Sequence, residues 1–123
     1  MAHANLHLAV GLAVGTAATA WPVLRALTSP SAPLARPLAR MWMVSLAVGV
    51  WALIPNLVSA AGLTAGLHHA AWGDLFVGHR TIDSRIHGGL LIGQLALVAQ
   101  LAVHYLILVW AVRRAGRAVP PVG

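Results

Sequence analysis

Leu90–Val112 reads LLIGQLALVAQLAVHYLILVWAV, an apolar run interrupted only by Gln94, Gln100 and His104 and closed by Arg113, Arg114 and Arg117. A helix needs about 20 such residues to cross the hydrocarbon core of a bilayer, so this stretch reads as a transmembrane helix. Two other runs match it. Asn5–Leu24 is mostly Ala, Leu, Val and Gly, and Met41–Leu63 opens on Trp42 and contains Pro55 followed by Asn56. Backbone polar groups in lipid must be satisfied within the segment that carries them, which makes each run helical. The expected fold is all-α: one integral membrane domain with three transmembrane helices, at about 5–24, 41–63 and 90–112.

The intervening segments differ in kind. Residues 25–40 carry Pro30, Pro33 and Pro37 with Ser29 and Ser31, a composition that stops helices, and are expected to form a loop. Residues 64–89 form a polar, histidine-rich stretch, read as a short outward-facing loop or helix. The tail 118–123, with Pro120 and Pro121, is expected to be disordered. Pro55 should bend the second helix, with Asn56 bridging the carbonyl it frees. The first 24 residues hold no Lys or Arg, and a secretory signal carries a basic segment before its apolar core. The first span is therefore expected to be retained, with cleavage near Thr19 or Ala20 as the alternative.

Composition agrees with a lipid environment: of 123 residues, 59% are hydrophobic and only 8% charged, far from the balance of a soluble domain. The formal charge of +6 comes from arginines that bracket the apolar runs. A nucleic-acid interface would instead need a basic face with readout groups, so no nucleic-acid partner is expected. The absence of cysteine excludes disulfides, thiolate metal sites and thiol nucleophiles. Three crossings put Arg25, Arg36, Arg40, Arg113, Arg114 and Arg117 on one side of the membrane. Arg80 and Arg85, offset by Asp74 and Asp83, lie on the other. The positive-inside rule then makes the C-terminus cytoplasmic and the N-terminus external, in a cell (inner) membrane. Trp21, Trp42, Tyr105 and Trp110 fall near the cytoplasmic boundary, where amphipathic rings prefer to sit; Trp51 does not. The pairs Gly11/Gly15, Gly62/Gly66 and Gly89/Gly93, each four apart, point to close helix packing within the chain or between copies.

This topology gathers His3, His7, His68, His69, His79, His87, Asp74 and Asp83 at one aqueous boundary. On a helix, His3 and His7 share a face, as do His79, Asp83 and His87 at i, i+4 and i+8. Two imidazoles and a carboxylate on one stripe suit a divalent metal, so His79, Asp83 and His87, with His3 and His7, form the candidate ligand set. The plainer reading is a solvated loop in which Asp83 caps the third span while Arg80 or Arg85 pairs with Asp74. Gly88 and Gly89 weigh against a rigid helix through His87. His104, with Gln100 one turn earlier, is expected to bond between helices.

Gly78-His79-Arg80, Leu53-Ile54-Pro55-Asn56 and the early His3 or His7 together resemble the membrane-bound, LexA-regulated family of predicted metal-dependent hydrolases. In that family an early histidine leads into a small-residue helix. A leucine-proline-aspartate-x-aspartate motif ends a second helix, and a glycine-histidine-arginine-glycine-x-threonine-histidine-serine motif opens another. The resemblance covers roughly residues 3–100 and implies a membrane scaffold carrying a metal site, with His87 matching the second motif histidine only across a gap. Asn56 and Val58 stand where the family has aspartates, and a neutral amide cannot replace an anionic oxygen ligand. The family's later His/Asp motifs have no counterpart in this chain, which implies a scaffold kept and hydrolysis lost.

The leading expectation is a small polytopic protein acting by assembly, as an accessory subunit of a membrane complex or a homo-oligomer, because no complete catalytic constellation is visible. No nucleophile elbow or phosphate loop is present. The alternative is a metal-dependent hydrolase in which His79, Asp83 and His87 hold the ion and Asp74 or a spare histidine is the base. A haem- or quinone-binding anchor is the third, and it lacks a partner for His104 at the same depth.

Overall fold

The computed structural model describes residues 4–29, 31–62, 71–86 and 89–117 and contains no strand among them. Four α-helices follow one another: α1 (Ala4–Thr28), α2 (Ala35–Ala60), α3 (His79–Arg85) and α4 (Gly89–Arg117), with a 3₁₀ turn at Ala71–Leu75 before α3. Three of them, α1, α2 and α4, are long and apolar enough to cross a membrane. At 1.5 Å per residue their 25, 26 and 29 residues span about 37–43 Å, more than the ~30 Å hydrocarbon core, so their ends reach the headgroups. The tail from residue 118 onward lies outside the described residues, as do His3, Gly66, His68, His69 and His87.

The first connection is shorter than its prolines suggest. The expected loop 25–40 shrinks to residues 29–34, because α1 runs on to Thr28 and α2 begins at Ala35. Pro37 sits in the first turn of α2, where a backbone N–H has no intrahelical acceptor anyway, so its missing donor is harmless. The next residue supplies the helical bond: Leu38 N–H donates to Leu34 O at 3.1 Å. At the other end α2 stops at Ala60 rather than residue 63. Gly62 takes a left-handed φ of 73° there and donates to Ser59 O at 3.0 Å. Gly62 is thus a turn residue rather than a packing position, with open space around it.

Packing is organised around α1. Its buried positions Leu12, Gly15, Thr16, Thr19, Val23, Ala26 and Leu27 recur at helical spacing. Against them α2 runs antiparallel, burying Met41, Ser45, Gly49 and Ala52. The backbones touch: a Cβ on Gly11 would lie 2.7 Å from Gly49 Cα, and one on Gly15 would lie 2.5 Å from Ser45 Cα. Where lipid tails are as apolar as leucine, such closeness supplies the attraction.

The third long helix, α4, runs parallel to α1 and packs by a narrow seam. The seam runs through Gly93, Leu97, Gln100, His104, Ile107, Ala111 and Arg114, all buried or half-buried and alternating steps of four and three as in a coiled coil, with Ala96 and Val109 half-buried beside it. Gly93 abuts the Leu6 backbone, its added Cβ 3.1 Å from Leu6 N. The environment of Gly89, the first residue of α4, lies outside the description. At the arginine end the three helices close over Val23, Leu27, Met41 and Ala111. Arg114 Nη2 there donates to Ser29 O, and to Ala32 O at 2.9 Å, tying α4 to the α1–α2 connection.

Replacing Gly15 with leucine should lower stability by about 1–3 kcal/mol, the usual range for overpacking, read as an earlier unfolding midpoint in detergent. Gly116→Ala, which meets nothing within 4 Å, should leave the midpoint in place.

Candidate metal centre

Residues 71–86 fold back over the N-terminal end of α1 by local rules. Trp51 on α2 donates its indole N–H to Leu75 O at 2.9 Å and stacks on Phe76 with ring centroids 5.1 Å apart. This explains its place outside the aromatic belt. Val77 and Gly78 follow in the left-handed region, φ 58° and 71°, and turn the chain into α3. Gly78 occupies the N-cap without a side chain to offer. Asp74 caps the helix from a distance, accepting from Thr81 N–H at 2.8 Å and Thr81 Oγ1–H at 3.1 Å. Both oxygens of Asp74 therefore serve the turn, and no arginine pairs with it among the described residues.

That turn aims His79 and Asp83 at α1. They are i, i+4 on α3, with His79 Nε2 3.4 Å from Asp83 Oδ2. His7, on the second turn of α1, donates from Nε2 to Asp83 Oδ1 at 2.9 Å, and its ring stacks on that of His79 at a centroid distance of 3.9 Å. His7 is 1% exposed and His79 0%, whereas the Asp83 side chain is 28% exposed, so the cluster opens to solvent on its carboxylate side. Asp83 bonds across to His7 on α1; its expected role as a cap of the third span falls on residues 87 and 88, which lie outside the described residues. The stripe also ends sooner than the i, i+8 spacing implies: α3 stops at Arg85, and Ile86 is extended at φ −105° and ψ 100°. His87 itself lies outside the described residues.

One candidate ligand atom from each of His7, His79 and Asp83 falls within 4.8 Å of the others. Around a tetrahedral ion with bonds of about 2.0–2.2 Å, ligand atoms stand roughly 3.3–3.6 Å apart, within that envelope. Two neutral imidazoles and one carboxylate suit zinc or another first-row divalent ion. These three ligands, counted among the described residues, would leave a fourth position on a tetrahedral ion.

A second polar group lies deeper, between the helices. Thr16 Oγ1 is 3.0 Å from Ser45 Oγ and 3.2 Å from His104 Nε2, and accepts from Gln100 Nε2 at 3.1 Å. His104 Nδ1 is 3.0 Å from Gln100 O, which can only accept, so Nδ1 carries a proton. Nε2 is then placed to accept from Thr16, which in turn accepts from Ser45 and Gln100. Thr16 Oγ1 also reaches its own helix at Leu12 O, 2.7 Å away, a second acceptor for the same proton. Trp42 covers this group, its ring 4.6 Å from that of His104, and is half-buried. Trp21 and Trp110 are exposed, as are Arg25, Arg36, Arg40 and Arg113. Thr16 and Ser45 were not singled out in the sequence, since small hydroxyls are common in apolar helices. Nor does Asn56 bridge the carbonyl freed by Pro55: its Nδ2 is buried with no hydrogen-bond partner.

No protein-family model, curated protein or solved structure matches this chain. The likeness to the hydrolase family therefore rests on the short motifs around Leu53–Asn56 and Gly78–Arg80.

Thr16→Val should cost about 1–3 kcal/mol, because it strands buried Gln100 and His104 atoms in lipid. Thr28→Val, at the exposed end of α1, should leave the detergent unfolding midpoint essentially unmoved.

Proposed function

We propose that this chain is a small three-span membrane protein whose chemistry resides in a divalent-metal site formed by His7, His79 and Asp83. The convergence of two buried imidazoles on one part-exposed carboxylate, from helices 72 or more residues apart in sequence, carries the reading. The bare apolar faces of α2 and α4 say less, since lipid covers such faces as well as protein does. The arginine imbalance supports an inner-membrane orientation with the histidine end outward and the arginine end in the cytoplasm.

A bound divalent ion would supply Lewis-acid activation of water or of a carbonyl or phosphoryl oxygen. The chain's own residues position it. The Asp83 side faces solvent and admits small polar substrates, while stacked His7 and His79 wall off the bundle. The absence of aspartates at Asn56 and Val58 weighs against the full ligand set of the hydrolase family, so metal binding that fastens α3 to α1 is the primary reading and hydrolysis its extension. Assembly with other subunits or copies is a second reading. It is favoured by Gln94, a polar amide exposed on the otherwise apolar outer face of α4.

Purified protein titrated with Co(II) should show one equivalent bound with the visible absorption of a low-coordinate site. Asp83→Asn and His7→Ala should each weaken binding at least tenfold, the lower end for a lost ligand or its support. Because both imidazoles must bind unprotonated, loading should fall steeply as pH drops below the ordinary imidazole range of about 6.5. Stoichiometric binding that persists in the double variant His7→Ala/Asp83→Asn would place the metal elsewhere and remove the proposal.

A further inference from the structure

The arginine end contains a groove of about 730 Å³ between the end of α1, the α1–α2 connection and the last turns of α4. Its walls divide by chemistry: Leu27, Leu34, Leu106 and Trp110 line one part, and Arg113, Arg114 and Arg117 line the other. Along α4 the two parts are ordered, from Leu106 deep in the span to Arg117 at its end, a rise of about 16 Å. Arg113 and Arg117 are one turn apart and share a face.

Neither Arg113 nor Arg117 has an acidic partner among the described residues. The protein has two acidic residues, Asp74 and Asp83, and both sit at the histidine end. Arg114 bonds to the carbonyls of Ser29 and Ala32, which hold its guanidinium in place at the groove wall. An amphipathic groove open at the membrane boundary, apolar toward the bilayer centre and triply cationic at its rim, complements one kind of molecule. We propose that it binds the headgroup of an anionic phospholipid, the phosphate on Arg113 and Arg117 and the upper acyl chain along Leu106 and Trp110. Guanidinium forks match phosphate oxygens in geometry, and basic pockets at the cytoplasmic ends of membrane helices suit anionic headgroups. A soluble anion would leave Leu106 and Trp110 without an occupant.

The full chain, extracted in mild detergent and supplied with equimolar phosphatidylglycerol and phosphatidylcholine of the same acyl chains, tests this by native mass spectrometry. The wild-type protein should retain phosphatidylglycerol in preference. The double variant Arg113→Gln/Arg117→Gln should lose that preference about tenfold, the scale of one charge-assisted hydrogen bond. The double variant Arg36→Gln/Arg40→Gln removes equal charge from the exposed start of α2, outside the groove, and should keep the preference. Equal retention of both lipids by the wild type, an equal loss in both double variants, or displacement of the lipid by millimolar glycerol phosphate would each overturn the proposal. Arg114 is left intact in every variant, so the α1–α2 connection stays tied and a loss of binding is not a loss of fold.

Discussion

The backbone contact between α1 and α2 at Gly11–Gly49 and Gly15–Ser45 is the constraint on which the rest depends. Side chains larger than hydrogen at Gly11 or Gly15 would drive the helices apart, and with them the hydroxyls of Thr16 and Ser45, now 3.0 Å from one another. That pair is the floor on which His104 and Gln100 settle from α4. In a bilayer no solvent pulls apolar surfaces together, so close approach and buried hydrogen bonds must do what the hydrophobic effect does in water. Both occur at the same level of α1, and each needs the other: the glycine contact brings the hydroxyls within reach, and the hydroxyls select which face of α4 joins.

The two ends of the bundle use opposite means to complete their helix termini. At the arginine end a side chain on α4 satisfies main-chain carbonyls of the first connection. At the histidine end a carboxylate, Asp74, satisfies the first turn of α3, and Asp83 reaches across to His7. Both acidic residues are thereby consumed in building one end, which leaves the other wholly cationic. A chain with so few ionisable groups separates its charge along the bundle axis simply by where it places two aspartates.

Much of the fold was legible in the sequence because lipid imposes a coarse rule: long apolar runs become helices, and their number sets the topology. Boundaries were less legible. Pro37 reads as a breaker from composition, yet in a first turn it is tolerated, and only the backbone position distinguishes the two cases. At the site, the i, i+4 relation of His79 and Asp83 was visible as a spacing, and His7 as a histidine at the same boundary. They could be grouped as one ligand set, but the geometry of their meeting was not legible, because it depends on the left-handed turn at Val77–Gly78, and a valine carries no signal for that conformation. Asp74 looked like a spare acid for the same reason: its bond to Thr81 crosses from the 3₁₀ turn over the irregular residues 76–78 into α3, and no single periodicity records it.

Chain order adds a consequence for biogenesis. His7 and Thr16, in α1, leave the ribosome before the rest of the bundle, while His79, Asp83, Gln100 and His104 emerge many tens of residues later. The α1–α2 hairpin can close its glycine contact as soon as both arms are in the bilayer, but it must then wait with an imidazole and hydroxyls facing partners not yet made. The newborn hairpin is therefore an intermediate with unmet polar demand in lipid, and that demand gives the last helix a defined berth when it arrives.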